Sequence, residues 1–234
     1  HSTSRRQRQM CIRDRISISK NYGWNWFCYF AESGSFGDQY SRLAEVLTAR
    51  DISGDHQITD EEYATAVKWL TPHYSMYKRA PNEPRPSVEE ILIACENFMN
   101  ETGKKINGVI IDTLSNTTVD NEGDQKFKSI EAKYETMLDF LGQWAIRTGI
   151  HVFLTSHMIN TGRIAVDKAT GMEIDPFPHF GMIKGGQALP RMGYNIIALH
   201  QHRPATFSPA NVPIEYNGKP VSYTHLTLPT TSRV

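Results

Sequence analysis

Apolar positions in the middle of the chain fall into two patterns, continuous runs and stretches with helical spacing. A continuous apolar run bounded by glycine or polar residues predicts a strand that is buried on both faces of a sheet. Four such runs are residues 24–31 (WNWFCYFA), 108–112 (GVIID), 150–155 (IHVFLT) and 195–200 (NIIALH). A shorter strand is expected at residues 74–78. Buried runs of this kind are typical of a parallel sheet.

Stretches with helical spacing lie between these runs and carry helix-start and helix-stop residues. The predicted helices cover residues 36–50, 59–72, 87–103 and 127–148. Thr59 and Ser87 are the predicted N-caps of the second and third helices. Pro72 is predicted to stop the second helix and Gly149 the last, and a long loop or hairpin is expected over residues 157–182. Strands that alternate with helices predict an α/β fold with a mainly parallel sheet flanked by helices, and no linker divides the middle of the chain.

The two ends of the chain differ from the middle. Residues 1–15 show no helical or strand period, and residues 221–234 (VSYTHLTLPTTSRV) closely resemble translated adapter read-through, as does QRQMCIRD near the start. Both ends are therefore expected to be non-native, and the alternative is a basic arm at the start and a β-rich tail at the end. This leaves residues 16–220 as a core fragment that is truncated at both ends.

Composition and charge exclude several classes of protein. Hydrophobic residues make up 39% and charged residues 21% of the 234 residues, which is typical of a folded domain rather than a disordered chain. No apolar stretch approaches the roughly 20 residues of a membrane span, so a cytoplasmic protein without membrane association is expected. Three cysteines without metal-ligand spacing predict plain thiols. The net charge is zero and arginines concentrate in residues 1–15, so any nucleic-acid contact must be local.

Polar residues follow three of the predicted buried strands. Glu32 follows the first, Asp112 ends the second, and Ser156 and His157 follow the third. Ligands bind beyond the carboxyl ends of the strands in an open α/β sheet, so these groups are expected to converge on one edge. Nucleotide hydrolysis needs a carboxylate that holds Mg²⁺ through water, a base for the attacking water and a polar group at the terminal phosphate. The alternative for Glu32 is a helix N-cap, a common role of acidic residues after strands.

These segments together resemble the RecA-like ATPase core of DnaB-type replicative helicases, especially the phage and Twinkle-like members. The resemblance spans about residues 18–203, and the order and spacing of the motifs carry it. The matching segments are 21–33 (NYGWNWFCYFAES), 58–74 (ITDEEYATAVKWLTPHY), 108–115 (GVIIDTLS), 151–158 (HVFLTSHM) and 185–200 (GGQALPRMGYNIIALH). The resemblance implies a P-loop NTPase core in which Glu32 is the catalytic glutamate, Asp112 the Mg²⁺-linked aspartate and His157 the sensor of the γ-phosphate.

The resemblance also implies cofactors and partners. The cofactors would be Mg²⁺ and ATP, and the substrate of translocation would be single-stranded DNA. The assembly would be a homo-oligomer, a hexameric ring, with a primase or a helicase loader as a further partner.

Two catalytic parts of such helicases are not recognised in the sequence. No G-x-x-x-x-G-K-[ST] motif occurs, so the chain lacks the loop that cradles the phosphates. The late strand with an arginine finger is also unrecognisable, and Arg203 is a poor substitute for it. The chain is therefore expected to be an inactive fragment of a longer, active ATP-dependent DNA helicase. Two alternatives stay open: a RecA-like phage recombination or annealing-associated ATPase, and a catalytically silent interaction module that uses the fold as a scaffold.

Weaker candidates for metal chemistry lie near these motifs. Thr113, Ser115 and Asn116 follow Asp112 and could order Mg²⁺-bound water, although such residues are common in any loop. His200 and His202 would share one face of a strand and suggest a second metal site, but no third ligand is evident.

Candidates for DNA contact lie in a glycine-rich loop. They are Lys184, Gly185, Gly186 and Arg191. The glycines would permit close approach of a phosphate backbone and the two cations would pair with it. The alternative is an ordinary turn.

Overall fold

A computed structural model describes part of the chain. The described residues are 13–31, 35–53, 56–79, 82–119, 127–157, 165–166, 173–174, 182–184, 187–193, 195–200, 215–216, 219–220 and 224–228. The chain divides into two compact units, one of His1–Lys128 with Asp139–Ser156 and one of Ser129–Leu138 with His157–Val234.

The first unit is built on a four-stranded parallel sheet. Its strands are β1 (Trp26–Phe30), β2 (Tyr74–Met76), β3 (Gly108–Asp112) and β4 (His151–Leu154). Their order is β2-β1-β3-β4, and every neighbouring pair is parallel. The parallel sheet that the apolar runs predict is therefore confirmed, and β3 has the predicted bounds.

The described residues of the first unit contain four helices and part of a fifth. They are α1 (13–22), α2 (Phe36–Thr48), α3 (Asp60–His73), α4 (Val88–Thr102) and α5 (Ile130–Thr148), whose beginning belongs to the second unit. Capping boxes begin α3 at Thr59 and α4 at Ser87, as predicted. α3 passes through Pro72 and ends at His73, so the prediction that Pro72 stops it is wrong by one residue. A proline in the last turn removes only one helical hydrogen bond.

Apolar side chains cover both faces of this sheet. One face carries a core cluster of Ile16 from α1, Trp26 and Cys28 from β1, Ile110 from β3, Leu43 and Ala44 from α2, and Ala66 and Leu70 from α3. Phe27 faces the opposite side, because side chains alternate along a strand, and its ring centroid lies 5.9 Å from that of Phe98 on α4. Helices therefore flank the sheet on both sides.

Gly108 allows the indole of Trp26 to lie across the sheet. A Cβ atom at Gly108 would come within 2.5 Å of the ring carbon Cζ3 of Trp26. The same indole contacts the ring of Phe153 on β4 edge-on at 5.3 Å, and its Nε1–H donates to the hydroxyl of Ser19 at 2.8 Å. Since Trp26 is fully buried, its ring cannot move aside without disturbing these contacts.

We expect Gly108→Ala to lower the free energy of unfolding by about 1–3 kcal/mol, the usual cost of overpacking a core. Urea denaturation measures this. Gly142→Ala on α5 is the matched control, because no heavy atom lies within 4 Å of its added Cβ. That control is expected to raise stability by roughly 0.5–1 kcal/mol, since alanine favours a helix over glycine. Unchanged stability of Gly108→Ala would contradict the packing of Trp26.

The second unit contains short strands and one short helix besides the beginning of α5. Its other described elements are β5 (Ala165–Val166), β6 (Glu173–Ile174), α6 (Ala188–Met192), β7 (Ile196–His200), β8 (Glu215–Tyr216), β9 (Lys219–Pro220) and β10 (Thr224–Leu228). The pairs β5–β6, β8–β9 and β7–β10 are antiparallel. The β5–β6 hairpin lies within residues 157–182, where a loop or hairpin is expected. In the described parts of both units, no helix is long and apolar enough to cross a bilayer.

Two strands differ from the sequence prediction. β4 is predicted to be buried, but it forms an edge of the described sheet, and Phe153 is 40% exposed. The predicted strand at residues 195–200 does not join the parallel sheet, because β7 pairs with β10 instead. A continuous apolar run favours a strand, but its burial and its partner depend on residues far away in the chain.

The described structure also extends past both predicted boundaries of the core. α1 covers residues 13–22 and so crosses the boundary expected at residue 15. Arg15 is 7% exposed, and its guanidinium carbon lies 5.4 Å from the centroid of the Phe30 ring. β10 lies inside residues 221–234, the other segment expected to be non-native. Residues on the far side of each boundary therefore contribute secondary structure.

Candidate active site

All four strands of the parallel sheet end at one edge, which we name the carboxyl edge. Phe30 at the end of β1 lies opposite Asp112 at the end of β3, and Ile111 lies opposite Leu154 at the end of β4. Pairing continues beyond β1, because the backbone N–H of Ala31 donates to the carbonyl oxygen of Asp112 at 2.8 Å. The segments that follow β1, β3 and β4 therefore begin at the carboxyl edge, where parallel α/β sheets bind ligands.

Asp112 is a buried carboxylate at the carboxyl edge. It is 7% exposed, and its Oδ1 accepts a hydrogen bond from the hydroxyl of Thr155. The carboxyl group lies on the same face of the sheet as Phe30, its register partner. Burial of a carboxylate is costly unless it is hydrogen-bonded or paired, so the Thr155 hydroxyl offsets part of that cost.

The turn after Asp112 is held by its own hydroxyl and amide groups. Thr113, which follows a cis peptide bond, is buried, and its hydroxyl lies 2.9 Å from that of Ser115 and accepts from the side-chain amide of Asn116 at 3.2 Å. Residues Leu114–Asn116 form a 3₁₀ turn. The hydroxyl of Tyr29 donates to the carbonyl oxygen of Asn116 at 3.1 Å and ties the turn to β1. The three residues proposed to order Mg²⁺-bound water thus form one hydrogen-bonded group.

Thr155 is a functional candidate that the sequence reasoning missed. The apolar run predicts a strand through Thr155, so the sequence analysis takes Ser156 and His157 as the candidate residues that follow this strand. The strand ends at Leu154, and Thr155 is the first residue beyond it. The sequence contains one signal for this role: a residue with a hydroxyl group lies at the end of one predicted strand, and another predicted strand ends in aspartate.

Glu32 lies outside the described residues. One alternative for it can still be tested, because the N-cap of α2 is described. That N-cap is Ser35, whose hydroxyl accepts from the backbone N–H of Asp38 while the Asp38 carboxylate accepts from the Ser35 backbone. Glu32 is therefore not the N-cap of α2, and its catalytic role stays a prediction.

His157 is exposed and belongs to the second unit, whereas Asp112 belongs to the first. Its carbonyl oxygen accepts from the backbone N–H of Lys184 at 3.0 Å. This bond joins the predicted sensor to the start of the predicted DNA loop. The convergence of His157 and Asp112 on one nucleotide stays a prediction.

The prediction that Arg191 lies in a loop is wrong, because Arg191 belongs to α6 and its backbone N–H donates to the carbonyl oxygen of Gln187. Two glutamates one helical turn apart on α5 hold this segment. The backbone N–H of Gln187 donates to Oε1 of Glu131 at 3.2 Å, and the guanidinium of Arg191 pairs with the carboxylate of Glu135. The side chains of Arg191 and Glu135 are 52% and 36% exposed. Lys184 is exposed as well. Arg191 is therefore already paired with an anion, which the sequence reasoning missed because Glu135 is distant in the chain.

The other predicted residues of this region lie outside the described structure. They are Gly185, Gly186, Arg203 and His202, and of His200 only the backbone within β7 is described. Their proposed roles stay predictions.

The two described cysteines do not supply a nucleophile. Cys28 and Cys95 are both buried free thiols. Burial raises the pKa of each thiol to about 12, so both are neutral near pH 7. A thiolate is the reactive form of cysteine, so these residues act in packing.

The residues at Asp112 fit a metal held through water rather than a closed metal cage. Among the residues that the structure describes, no three His, Cys, Asp or Glu side chains cluster as possible direct ligands. Mg²⁺ in nucleotide sites keeps several waters and binds only one or two carboxylates besides the phosphates. One oriented, buried carboxylate at the ligand-binding edge meets that requirement.

The fold of the chain matches those of two solved proteins. A DnaB-like replicative helicase, described with its interactions with primase, aligns with a TM-score of 0.58 and 14% identity over 82% of this chain and 44% of the helicase chain. A second solved structure, an ATPase domain, aligns with a TM-score of 0.59 and 15% identity over 82% of this chain and 64% of that chain. This chain thus spans less than two thirds of either protein. No family model and no curated protein matches the sequence. The predicted fold, a parallel sheet flanked by helices, is confirmed and is shared with these two proteins.

Proposed function

We propose that this chain is part of an ATP-dependent replicative DNA helicase that couples Mg²⁺-dependent ATP hydrolysis to translocation on single-stranded DNA. One observation carries the proposal: the buried Asp112 carboxylate at the carboxyl edge of a RecA-like sheet, oriented by Thr155. A catalytically silent scaffold would have no need for a desolvated carboxylate at the ligand-binding edge.

Each candidate residue has one role in this proposal. Asp112 holds Mg²⁺ through water, with Thr113 beside it in the same turn. Glu32 orients or deprotonates the attacking water, and His157 contacts the γ-phosphate. When bound, Mg²⁺ neutralises charge that develops on the transferring phosphoryl group. The chain order supports these roles, since Asp112 ends β3, and Glu32 and His157 come soon after β1 and β4 in the sequence.

The phosphate cradle and the arginine finger are assigned to a longer parent protein in this proposal. No G-x-x-x-x-G-K-[ST] motif occurs in the 234 residues. Backbone N–H groups and a lysine in such a loop provide much of the affinity for a triphosphate. The chain alone is therefore proposed to be inactive and the parent to be a helicase.

DNA and protein partners follow from the same proposal. Single-stranded DNA would contact the segment of residues 184–191, with exposed Lys184 as the first cation. The parent would form a homo-hexameric ring in the cytoplasm and bind a primase or a loader. Primase is the partner described for the DnaB-like helicase of the same fold.

We expect calorimetry to show only weak binding of ATP with Mg²⁺ to this chain, because the chain lacks the phosphate-cradling loop. The parent protein, titrated under the same conditions, is expected to bind much more tightly, with a dissociation constant inside the range of about 1 μM to 1 mM in which enzyme KM values lie. Low-micromolar binding by the 234-residue chain would contradict the importance of the absent loop. Weak binding by the parent would contradict the proposed function itself.

A further inference from the structure

Thr155 makes hydrogen bonds on both sides of Asp112. Its backbone N–H donates to the carbonyl oxygen of Ile111 at 3.1 Å, and its carbonyl oxygen accepts from the backbone N–H of Leu114 at 3.1 Å. Its hydroxyl donates to Oδ1 of Asp112 itself. The backbone before Asp112, the backbone after it and its carboxylate are thus all bonded to one residue of the neighbouring strand end.

These three bonds have different consequences. The two backbone bonds continue the β3–β4 pairing past the strands, and any residue other than proline at position 155 could make them. Only the hydroxyl reaches the carboxylate, where it limits rotation of the carboxyl plane about the Cβ–Cγ bond. A carboxylate with Oδ1 held in this way presents its other oxygen in one direction. The side chain therefore has a role that is separable from that of the backbone.

We propose that Thr155 is a positioning residue for the Asp112 carboxylate and holds it in the orientation that binds a water of the Mg²⁺ shell. The proposal rests on the metal role of Asp112 proposed above. Groups that hydrogen-bond a metal-linked carboxylate fix its orientation, and their removal typically weakens metal binding by about 10–100-fold. Thr155 would act through Asp112 and would not contact the nucleotide itself.

Three variants separate the hydroxyl from the rest of the side chain. Thr155→Ser keeps the hydroxyl and loses the methyl group, Thr155→Ala loses both, and Thr155→Val replaces the hydroxyl with a methyl group and keeps the β-branched shape. Serine and alanine therefore differ from each other only in the hydroxyl. All three retain the two backbone hydrogen bonds. Asp112→Asn is the reference for loss of the carboxylate.

The experiment is a Mn²⁺ titration of the 234-residue chain, followed by paramagnetic broadening of the NMR amide signals of residues 111–115. Mn²⁺ prefers the same oxygen ligands as Mg²⁺. We expect site-specific broadening in the wild type and in Thr155→Ser, and none in Asp112→Asn. Thr155→Ala and Thr155→Val are expected to need about tenfold more Mn²⁺ for the same broadening. Urea denaturation of each variant reports stability separately.

The outcomes distinguish this inference from the proposed function. Equal broadening in the wild type and in Asp112→Asn, or no site-specific broadening in the wild type, would overturn the metal role of Asp112 and the proposal for Thr155 with it. Loss of broadening in Asp112→Asn, with equal Mn²⁺ affinity in the Ser and Ala variants, would overturn only the positioning role of Thr155. If Thr155→Val does not fold, the difference in Mn²⁺ affinity between Thr155→Ser and Thr155→Ala tests the positioning role of Thr155.

Discussion

Asp112→Asn in the proposed parent helicase is expected to reduce ATP turnover by roughly 100-fold or more, while nucleotide binding weakens far less. Metal stabilisation of developing phosphate charge contributes several kcal/mol to catalysis, and about 2.7 kcal/mol corresponds to a factor of 100. Asparagine keeps the shape of the side chain but loses the charge that holds the Mg²⁺ shell. Steady-state turnover and equilibrium ATP binding, measured on the same preparation, separate the two effects.

Asp139→Asn is the matched control for this substitution. Asp139 is an exposed carboxylate on α5 that accepts a hydrogen bond from Gln143 of the same helix. The control substitution makes the same chemical change, from a carboxylate to an amide, and the variant is expected to keep normal ATP turnover. Near-normal turnover in Asp112→Asn, or an equal loss in both variants, would show that the role assigned to Asp112 is wrong.

Glu32→Gln in the parent protein is expected to lower turnover by about 10²–10⁴, the usual contribution of a general base. Glutamine preserves the shape of the side chain but removes its basicity and its negative charge. Binding of ATP and of single-stranded DNA is expected to stay near the wild-type level, because neither depends on deprotonation of water. Single-turnover hydrolysis, combined with binding titrations, measures these quantities.

The control for Glu32 is Glu61→Gln at the exposed first turn of α3. Turnover of this variant is expected to match the wild type. The N-cap alternative for Glu32 predicts a loss of helix stability without a specific loss of turnover, and the position of Ser35 at the start of α2 already disfavours it. Unchanged turnover in Glu32→Gln would remove Glu32 from the mechanism.

Local signals in the sequence predict the elements that depend on nearby residues. The run at 108–112 is apolar up to a single terminal acid, and it forms β3 with those bounds. Thr59 and Ser87 begin their helices because the partner carboxylate of each capping box lies three residues later. Such interactions are complete within one turn, so the sequence alone is enough to place them.

Features that depend on distant residues were not predictable in the same way. The apolar pattern of residues 150–155 is compatible with a central or an edge strand, and only the set of neighbouring strands decides between them. The bond from Thr155 to Asp112 joins residues 43 positions apart. For the candidate site, the sequence predicts Asp112 at the carboxyl edge but not the hydroxyl that orients it.

The ion pair between Arg191 and Glu135 has a consequence for the ionic-strength dependence of the proposed DNA binding. An arginine that neutralises a phosphate displaces condensed counterions, and on a single strand each such contact contributes about 0.7 to the slope of log K against log salt. If Arg191 exchanges Glu135 for a phosphate, the freed carboxylate attracts cations from the solution again. The release of counterions from the DNA and the uptake of cations at Glu135 then nearly cancel in the salt dependence. Arg191 would therefore stabilise single-stranded DNA whose phosphate lies at the guanidinium group. It would add little to the long-range, salt-sensitive attraction of DNA.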